Sequence, residues 1–351
     1  MQLAANQLDS HLQKGLRSLY TLHGDEPLLI QEAADALRSA ARIQGFTERS
    51  SHTVAGAHFD WSEVLAAGGS LSLFADKQML EIRIPSGKPG KEGSSAIQQL
   101  AEQSRGNDDT LVLVLLPRLD KLTKGSAWFS ALESAGFTLQ LEPVDRNALP
   151  QWLAQRLAAQ GQRVSDGETG RRTLQFFADR VEGNLLAAHQ EIQKLALLFP
   201  VGELTFDQVE TSVLNVARYD VFKLSEAVLA GQLQRVQRML DGLRAEGEAE
   251  VLVHYTLSED IRALKRVKDA MTHGRPLPMA LREQRIWGVR ERLFERVLPR
   301  LNDATLADLL HAAHQVDGIV KGLKQADWPT DNWQALHRLA MQLSSCCQAQ
   351  P

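Results

Sequence analysis

Apolar and polar positions change period along the chain, and those changes predict its elements. LYTLHG (19–24) reads as a strand. Pro27 then fits the first turn of a helix, with Asp25 and Glu26 beside its positive end. Ile30, Ala33, Ala34, Leu37 and Ala41 recur at three- and four-residue spacing on one face, and Gly45 stops the helix. SSHTVAG (50–56) is a weaker strand, followed by a short helix from Asp60 to the Gly68-Gly69 pair. In QMLEIRI (78–84), Leu80, Ile82 and Ile84 alternate with Glu81 and Arg83, which predicts an edge strand or one wet face. PSGKPGKEGSS (85–95) reads as a loop and SAIQQLAEQ (95–103) as a helix. TLVLVLLP (110–117) is apolar on both faces, the pattern of a central parallel strand. AWFSALESAG (127–136) is helical and FTLQLEPV (137–144) is a last strand.

Strands alternating with helices predict a parallel sheet covered on both sides. After Pro150 the strand signal ends. QWLAQRLAAQG (151–161) is an amphipathic helix, and Leu185, Ala188, Ile192, Leu195 and Phe199 mark the apolar stripe of another. LTFDQVETSVL (204–214) starts a short helix. From 216 to 345 the pattern is almost wholly helical, broken at 241–250, 272–278, 299–303 and 327–332. The expected order is an α/β domain (1–145), a small helical domain (146–214) and a larger helical domain (215–351).

Composition narrows the class. A net charge of −4 argues against a surface coated for nucleic acid, though not against a local basic patch. The two cysteines, Cys346 and Cys347, are adjacent near the end of the chain and build neither a disulfide framework nor a metal site. They read as part of a frayed tail. That usage suits a reducing cytoplasm. The N-terminus lacks the charged-then-apolar layout of a signal peptide, and no run of about 18 apolar residues is present to span a membrane. The expectation is a soluble cytoplasmic protein.

A strand, a turn and a helix N-terminus at 19–30 is the place for a phosphate loop. ATP chemistry needs GxxxxGK followed by Ser or Thr, for a glycine cradle, a lysine and a magnesium-holding hydroxyl. The turn here is HGDEPLL. It has one glycine and no lysine, Asp25 and Glu26 repel phosphate, and Pro27 removes a donor. No acidic pair follows QMLEIRI or TLVLVLLP to hold magnesium. His311, His314 and Asp317 share a predicted helix face, but without a third strong ligand they read as solvated side chains. No catalytic residues, metal or cofactor are expected.

Between Arg262 and Arg300 there are eleven basic and four acidic residues, a local +7. Such a run is ordinarily solvated or subunit-facing. Its alternative is a helical face along a nucleic-acid backbone, for which Arg282, Arg285, Arg290, Lys324 and Trp328 are the candidates, the tryptophan either as a stacking platform or in a helix-capping or core role. The other conspicuous stretch is SLSLFADKQML (70–80), which places Leu73 and Phe74 side by side in a polar connector, either to cap the domain's own core or to face another protein. In a strand the pair would point to opposite faces. In a helical turn the two sit about 100° apart and can fill one pocket. Burying both on a partner contributes roughly 3–6 kcal/mol before ordering costs.

The chain resembles the delta subunits of the bacterial DNA polymerase III clamp loader over essentially its whole length. The likeness is carried by LYTLHGDEPLLIQEAADALR (19–38), SLSLFADKQ (70–78), WFSAL (128–132), LPQWLAQRL (149–157) and VEGNLLAAHQEIQKLALLFPVGELT (181–205), and more loosely by RIWGVRERL (285–293). The resemblance implies an AAA+-like α/β domain (a RecA-like parallel sheet with a degenerate phosphate loop), a helical lid and an all-α collar. It implies a component of the polymerase III holoenzyme that burns no ATP itself. The implied partners are the sliding clamp (the beta ring), and the loader's ATPase subunits with delta-prime in a heteropentamer. Primed DNA is reached through the assembled complex. In this family the clamp-binding element carries adjacent leucine and phenylalanine, matched by Leu73 and Phe74, with Leu71 beside them. Working AAA+ chains carry a lid arginine after a Gly-x-Leu turn; here Gly183-Asn184-Leu185 is followed by Leu186. Their Ser-Arg-Cys signature is replaced by Glu133-Ser134-Ala135-Gly136. Two other readings stay open: an active AAA+ ATPase or helicase, and a helical adaptor unrelated to a clamp.

Overall fold

The computed structural model describes residues 1–56, 59–69, 77–214 and 216–348. They form two compact units, Met1–Gln175 with Leu185–Ser212, and Phe176–Asn184 with Val213–Pro351.

In the first unit a short helix α1 (Leu8–Leu12) leads into five strands and their crossover helices. These are β1 (Leu19–Gly24), α2 (Pro27–Ile43), β2 (Glu48–Thr53), α3 (Trp61–Gly69), β3 (Gln78–Arg83), α4 (Gly90–Gln103), β4 (Thr110–Pro117), α5 (Lys121–Lys124), α6 (Ala127–Ala135) and β5 (Phe137–Leu141). The sheet order is β2-β3-β4-β1-β5, and every pairing is parallel. The apolar β4 lies at its centre, as its two-faced pattern predicts. One face packs Tyr20, Leu22, Met79 and Leu113 against Ala33, Leu37 and Ala41 of α2. The other packs Leu80, Ile82, Val112 and Val114 against Trp61, Ile97 and Phe129. Ile30, assigned to the buried stripe of α2, is only half-buried.

Several expectations need correcting. The β2 strand begins two residues before the predicted SSHTVAG, and α4 begins at Gly90, inside the predicted loop. Strand signal does not end at Pro150. After α7 (Leu149–Ala159) come β6 (Gln162–Val164), α8 (Gly167–Val181), α9 (Leu185–Leu198), β7 (Gly202–Leu204) and α10 (Phe206–Ser212). The two short strands pair in parallel, and the Gln162 amide ties β6 to the end of α9, donating to Leu195 O at 3.1 Å and Phe199 O at 2.9 Å. Three-residue strands are too short to show a period.

The largest correction concerns β3. Its alternating pattern predicts an edge, yet it lies between β2 and β4, and Glu81 is fully buried. The reason is ionic. Arg38 of α2 donates Nε to Glu81 Oε2 at 3.0 Å and Nη2 to Oε1 at 2.9 Å, and Arg83 Nε donates to Oε1 at 2.8 Å. Burial works against the Glu81 charge, but the bonds from Arg38 and Arg83 outweigh it and hold the carboxyl below its ordinary pKa. A satisfied carboxylate therefore occupies a core position that a lone one could not. The edge on that side of the sheet is the polar β2 instead.

The second unit is helical: α11 (Val221–Leu229), α12 (Leu233–Ala245), α13 (Glu250–Thr272), α14 (Leu277–Glu283), α15 (Val289–Val297), α16 (Asp303–Val320) and α17 (Asn332–Cys347). Leu257, Ile261, Leu264, Phe294, Val316 and Leu339 lie in one core. Buried Asp260 of α13 accepts from Ser225 Oγ at 2.5 Å and pairs with Arg290 of α15. The cysteines are not a frayed tail. They close α17, Cys347 is fully buried, and burial foremost pushes its thiol up to about 12. Among the described residues, no helix is long and apolar enough to cross a membrane.

Arg38→Met leaves Glu81 buried with weaker pairing and should destabilise the chain by about 2–4 kcal/mol in urea unfolding. Adding Glu81→Met to it should recover much of that loss. Equal stability of Arg38→Met and the parent would contradict the ionic account of β3.

Candidate functional site

The turn between β1 and α2 is where a nucleotide-binding sheet receives phosphates, and here a carboxylate holds that place. Glu26 is the N-cap of α2, and its Oε1 accepts from Leu28 N at 3.3 Å. Pro27, the first helical residue, has no N–H to offer. The turn is also short and fixed. Gly24 ends β1 so close to β5 that a Cβ would lie 1.8 Å from Leu141 O. Glu26 N donates back to the same carbonyl at 3.4 Å. Asp25 pairs with Arg118 beyond β4, Oδ2 to Nη1 3.2 Å.

Charge at the turn is thus negative where a phosphate would need it positive. Burial pushes the Glu26 carboxyl up, the Leu28 N–H pulls it back, and Asp25 and Glu32 add to the rise. His23 does not offset this. It is buried at the end of β1, edge-on to Phe129 with ring centroids 5.5 Å apart. Burial first, then the Lys124 charge, pushes its pKa down to about 4, so the ring is neutral near pH 7.

Leu71, Leu73 and Phe74 lie outside the described residues. Both flanks are described and tightly built. A Cβ on Gly68, near the end of α3, would lie 2.6 Å from Leu100 Cδ2 of α4. Lys77, entering β3, holds its Nζ 5.2 Å from the centre of the Phe46 ring.

The basic run of the helical unit is mostly paired within that unit. Arg262 and Arg266 meet Glu259, Lys265 meets Asp269 and Asp303, Arg275 meets Glu283, and Arg290 meets Asp260. Lys268, Arg296 and Arg300 donate to the carbonyls of Leu298, Leu229 and Cys347. Arg282 and Arg285 are exposed, and neither they nor Arg292 has an ion pair among the described residues. Lys324 is exposed as well. Trp328 is half-buried; its Nε1 donates to Gln315 Oε1 at 2.6 Å, and the Arg338 guanidinium lies 4.4 Å from its ring centre. His311 and His314 are exposed on α16, while Asp317 is engaged by Lys321 at 2.6 Å. Among the described residues no three His, Cys, Asp or Glu side chains group to hold a metal.

Comparison with known proteins decides the family. The sequence profile described as DNA polymerase III, delta subunit, matches residues 20–141. The chain is 30% identical to the DNA polymerase III subunit delta of Escherichia coli over 345 residues, 98% of this chain and 96% of that one. The chain belongs to the DNA polymerase III delta subunit family. It is also 28% identical to the Haemophilus influenzae subunit delta over 329 residues, covering 90% of this chain and 92% of that one. Among solved structures it shares the fold of the Bacillus subtilis DNA clamp loader delta protein, with TM-score 0.51 and 16% identity across 97% of this chain and 99% of that one. The architecture is the expected parallel sheet followed by helical regions.

Leu186, in the first turn of α9, is nearly half exposed. Sequence reasoning passed over Trp287, which is 61% exposed and stands two residues from Arg285. Its signal was a tryptophan in the polar turn RIWGVR, before Gly288 with φ 66°.

The His23 environment yields a pH signature. The unfolded chain takes up this proton below about pH 6.5, the folded chain only near 4. Stability should therefore fall as pH drops through that window, and His23→Gln should flatten the fall. Urea midpoints at pH 7, 6, 5 and 4 for both chains check it; parallel profiles would contradict it.

Proposed function

We propose that this chain is the clamp-opening delta subunit of a DNA polymerase III clamp loader and that it neither binds nor hydrolyses ATP. The observation that carries the reading is the likeness to a DNA polymerase III subunit delta along 98% of the chain. The Glu26 carboxylate on the α2 N–H supports the second half. On this reading residues 1–145 grip the sliding clamp, 146–214 are the lid, and 215–351 are the collar. The collar joins the loader's ATPase subunits and delta-prime in a heteropentamer. Leu73 and Phe74, with Leu71, fill a pocket on the clamp. Opening the ring then draws on binding energy alone: a closed ring shifts to its open form only by holding the open form more tightly. Primed DNA reaches the chain through the assembled loader. Arg282, Arg285 and Lys324, exposed and without an ion pair among the described residues, suit its phosphates, and the exposed Trp287 suits a base. Arg290 and Trp328 already carry bonds within the helical unit.

Leu73→Ala with Phe74→Ala should weaken binding to the sliding clamp by about 100-fold or more while circular dichroism stays unchanged. A folded double variant that binds like the parent would remove this element from the account. Equilibrium dialysis with labelled ATP should show no saturable uptake by the isolated chain. Micromolar binding would favour the active AAA+ reading instead.

A further inference from the structure

The helical segment after residue 145 joins the α/β sheet at a short turn. Residues 142–148 carry no helix or strand, and the Asp145 carbonyl accepts from Ala148 N and Leu149 N at 2.9 Å, where α7 begins. A single covalent turn is a hinge. A second attachment lies seven residues past the start of α7, about 10 Å along its axis. Arg156 Nη1 donates to Glu32 Oε1 and Nη2 to Glu32 Oε2, both at 2.6 Å, a two-pronged bond to the second turn of α2. Sequence spacing prepares it. Trp152 lies one turn before Arg156 on the same face of α7, and the guanidinium carbon is 4.8 Å from its ring centre. The ring backs the guanidinium and leaves its fork to Glu32. The side chains of Arg156 and Glu32 are only 29% and 32% exposed, so each has given up water that the other replaces. Leu149, Leu153 and Leu157 supply the buried stripe of the same helix.

We infer that Arg156 is a positioning residue: its fork on Glu32 stops the helical segment from swinging about residues 142–148 and so sets the angle of that segment on the sheet without any nucleotide. The inference rests on the reading above, in which the segment is a lid and the chain holds no ATP. Helix α2 then acts at two places. Its first turn is met by Glu26, and its second turn holds the segment that follows the sheet. Swinging at the turn would part Arg156 from Glu32 and leave two partly desolvated charges without each other, which opposes the motion.

The test is limited trypsin cleavage of the full-length chain, with mass spectrometry to follow the cut after Arg146, inside the turn. A protease needs more extended chain than the turn offers while α7 is fastened, so the rate of this cut tracks the fraction of molecules in which α7 has let go. Glu32→Gln and Arg156→Met each remove one partner and keep the shape. Each should speed the cut about three- to tenfold, and the double variant no more than either alone, because one shared contact is lost in all three. Added salt should speed the cut in the parent but not in these variants, with trypsin's rate on a small substrate as the control. Arg156→Lys, with one prong in place of two, should fall between parent and Arg156→Met. Parental cutting in Glu32→Gln and Arg156→Met chains that are folded by circular dichroism would overturn the inference. So would effects that simply multiply in the double variant. The parent is also cut in the presence of magnesium and ATP. If ATP slows that cut, the nucleotide-free reading itself is wrong. If ATP has no effect and the variants are cut like the parent, the reading stands and the role of Arg156 falls.

Discussion

The N-terminus of α2 can satisfy one anion, and in this chain the anion is its own Glu26. That contact constrains the rest. A sheet with β1 beside β4 directs a helix end at the space where a phosphate would sit, and such an end attracts negative charge whatever its source. With a side-chain carboxylate on the Leu28 N–H, a proline in the first helical position and Asp25 tied to Arg118, the turn is complete without a ligand. The helix end that would attract an anion is thus already met by a carboxylate of the chain itself. On the proposed function, work that nucleotide would do elsewhere falls to the surface that meets the clamp.

A second ionic contact supports the same sheet. Glu81 brings a charge into the middle of a parallel sheet and is tolerated because Arg38 and Arg83 satisfy it. The pair of arginines comes from two elements, so the carboxylate fastens α2 to β3 as well as filling space. On the proposed function this matters because α2 begins at the Glu26 turn, and β3 begins one residue after Lys77, beyond the stretch of sequence bearing Leu73 and Phe74. Helix and strand are held in register by a contact whose removal would leave a buried charge.

The elements that the sequence announced clearly were those with a long, single-period pattern. Leu111 to Leu116 in β4 and Leu37 with Ala41 in α2 lie where their spacing puts them. The misplacements have physical causes. Glu81 disguised an interior strand as an edge because its partner, Arg38, is far away in sequence. Gly90 and Glu92 made the first turn of α4 look like loop. β6 and β7 were too short to show any period. At the site, the poverty of HGDEPLL was legible from residue types alone, but the bond from Leu28 N to Glu26 and the neutral state of His23 depend on packing. The basic run looked like one surface and is largely a set of internal ion pairs. Arg282, Arg285 and Arg292 were distinguished from their neighbours only by which acids the helices bring close.

The central claim is that this chain opens a ring by binding alone. It is tested most directly with a sliding clamp carrying a fluorescent donor and acceptor across one subunit interface. The full-length chain is added with no nucleotide present. The account predicts a saturable fall in energy transfer as that interface parts. Transfer that stays at the closed-ring value under saturating chain, and falls only when ATP is supplied to this chain, would contradict it.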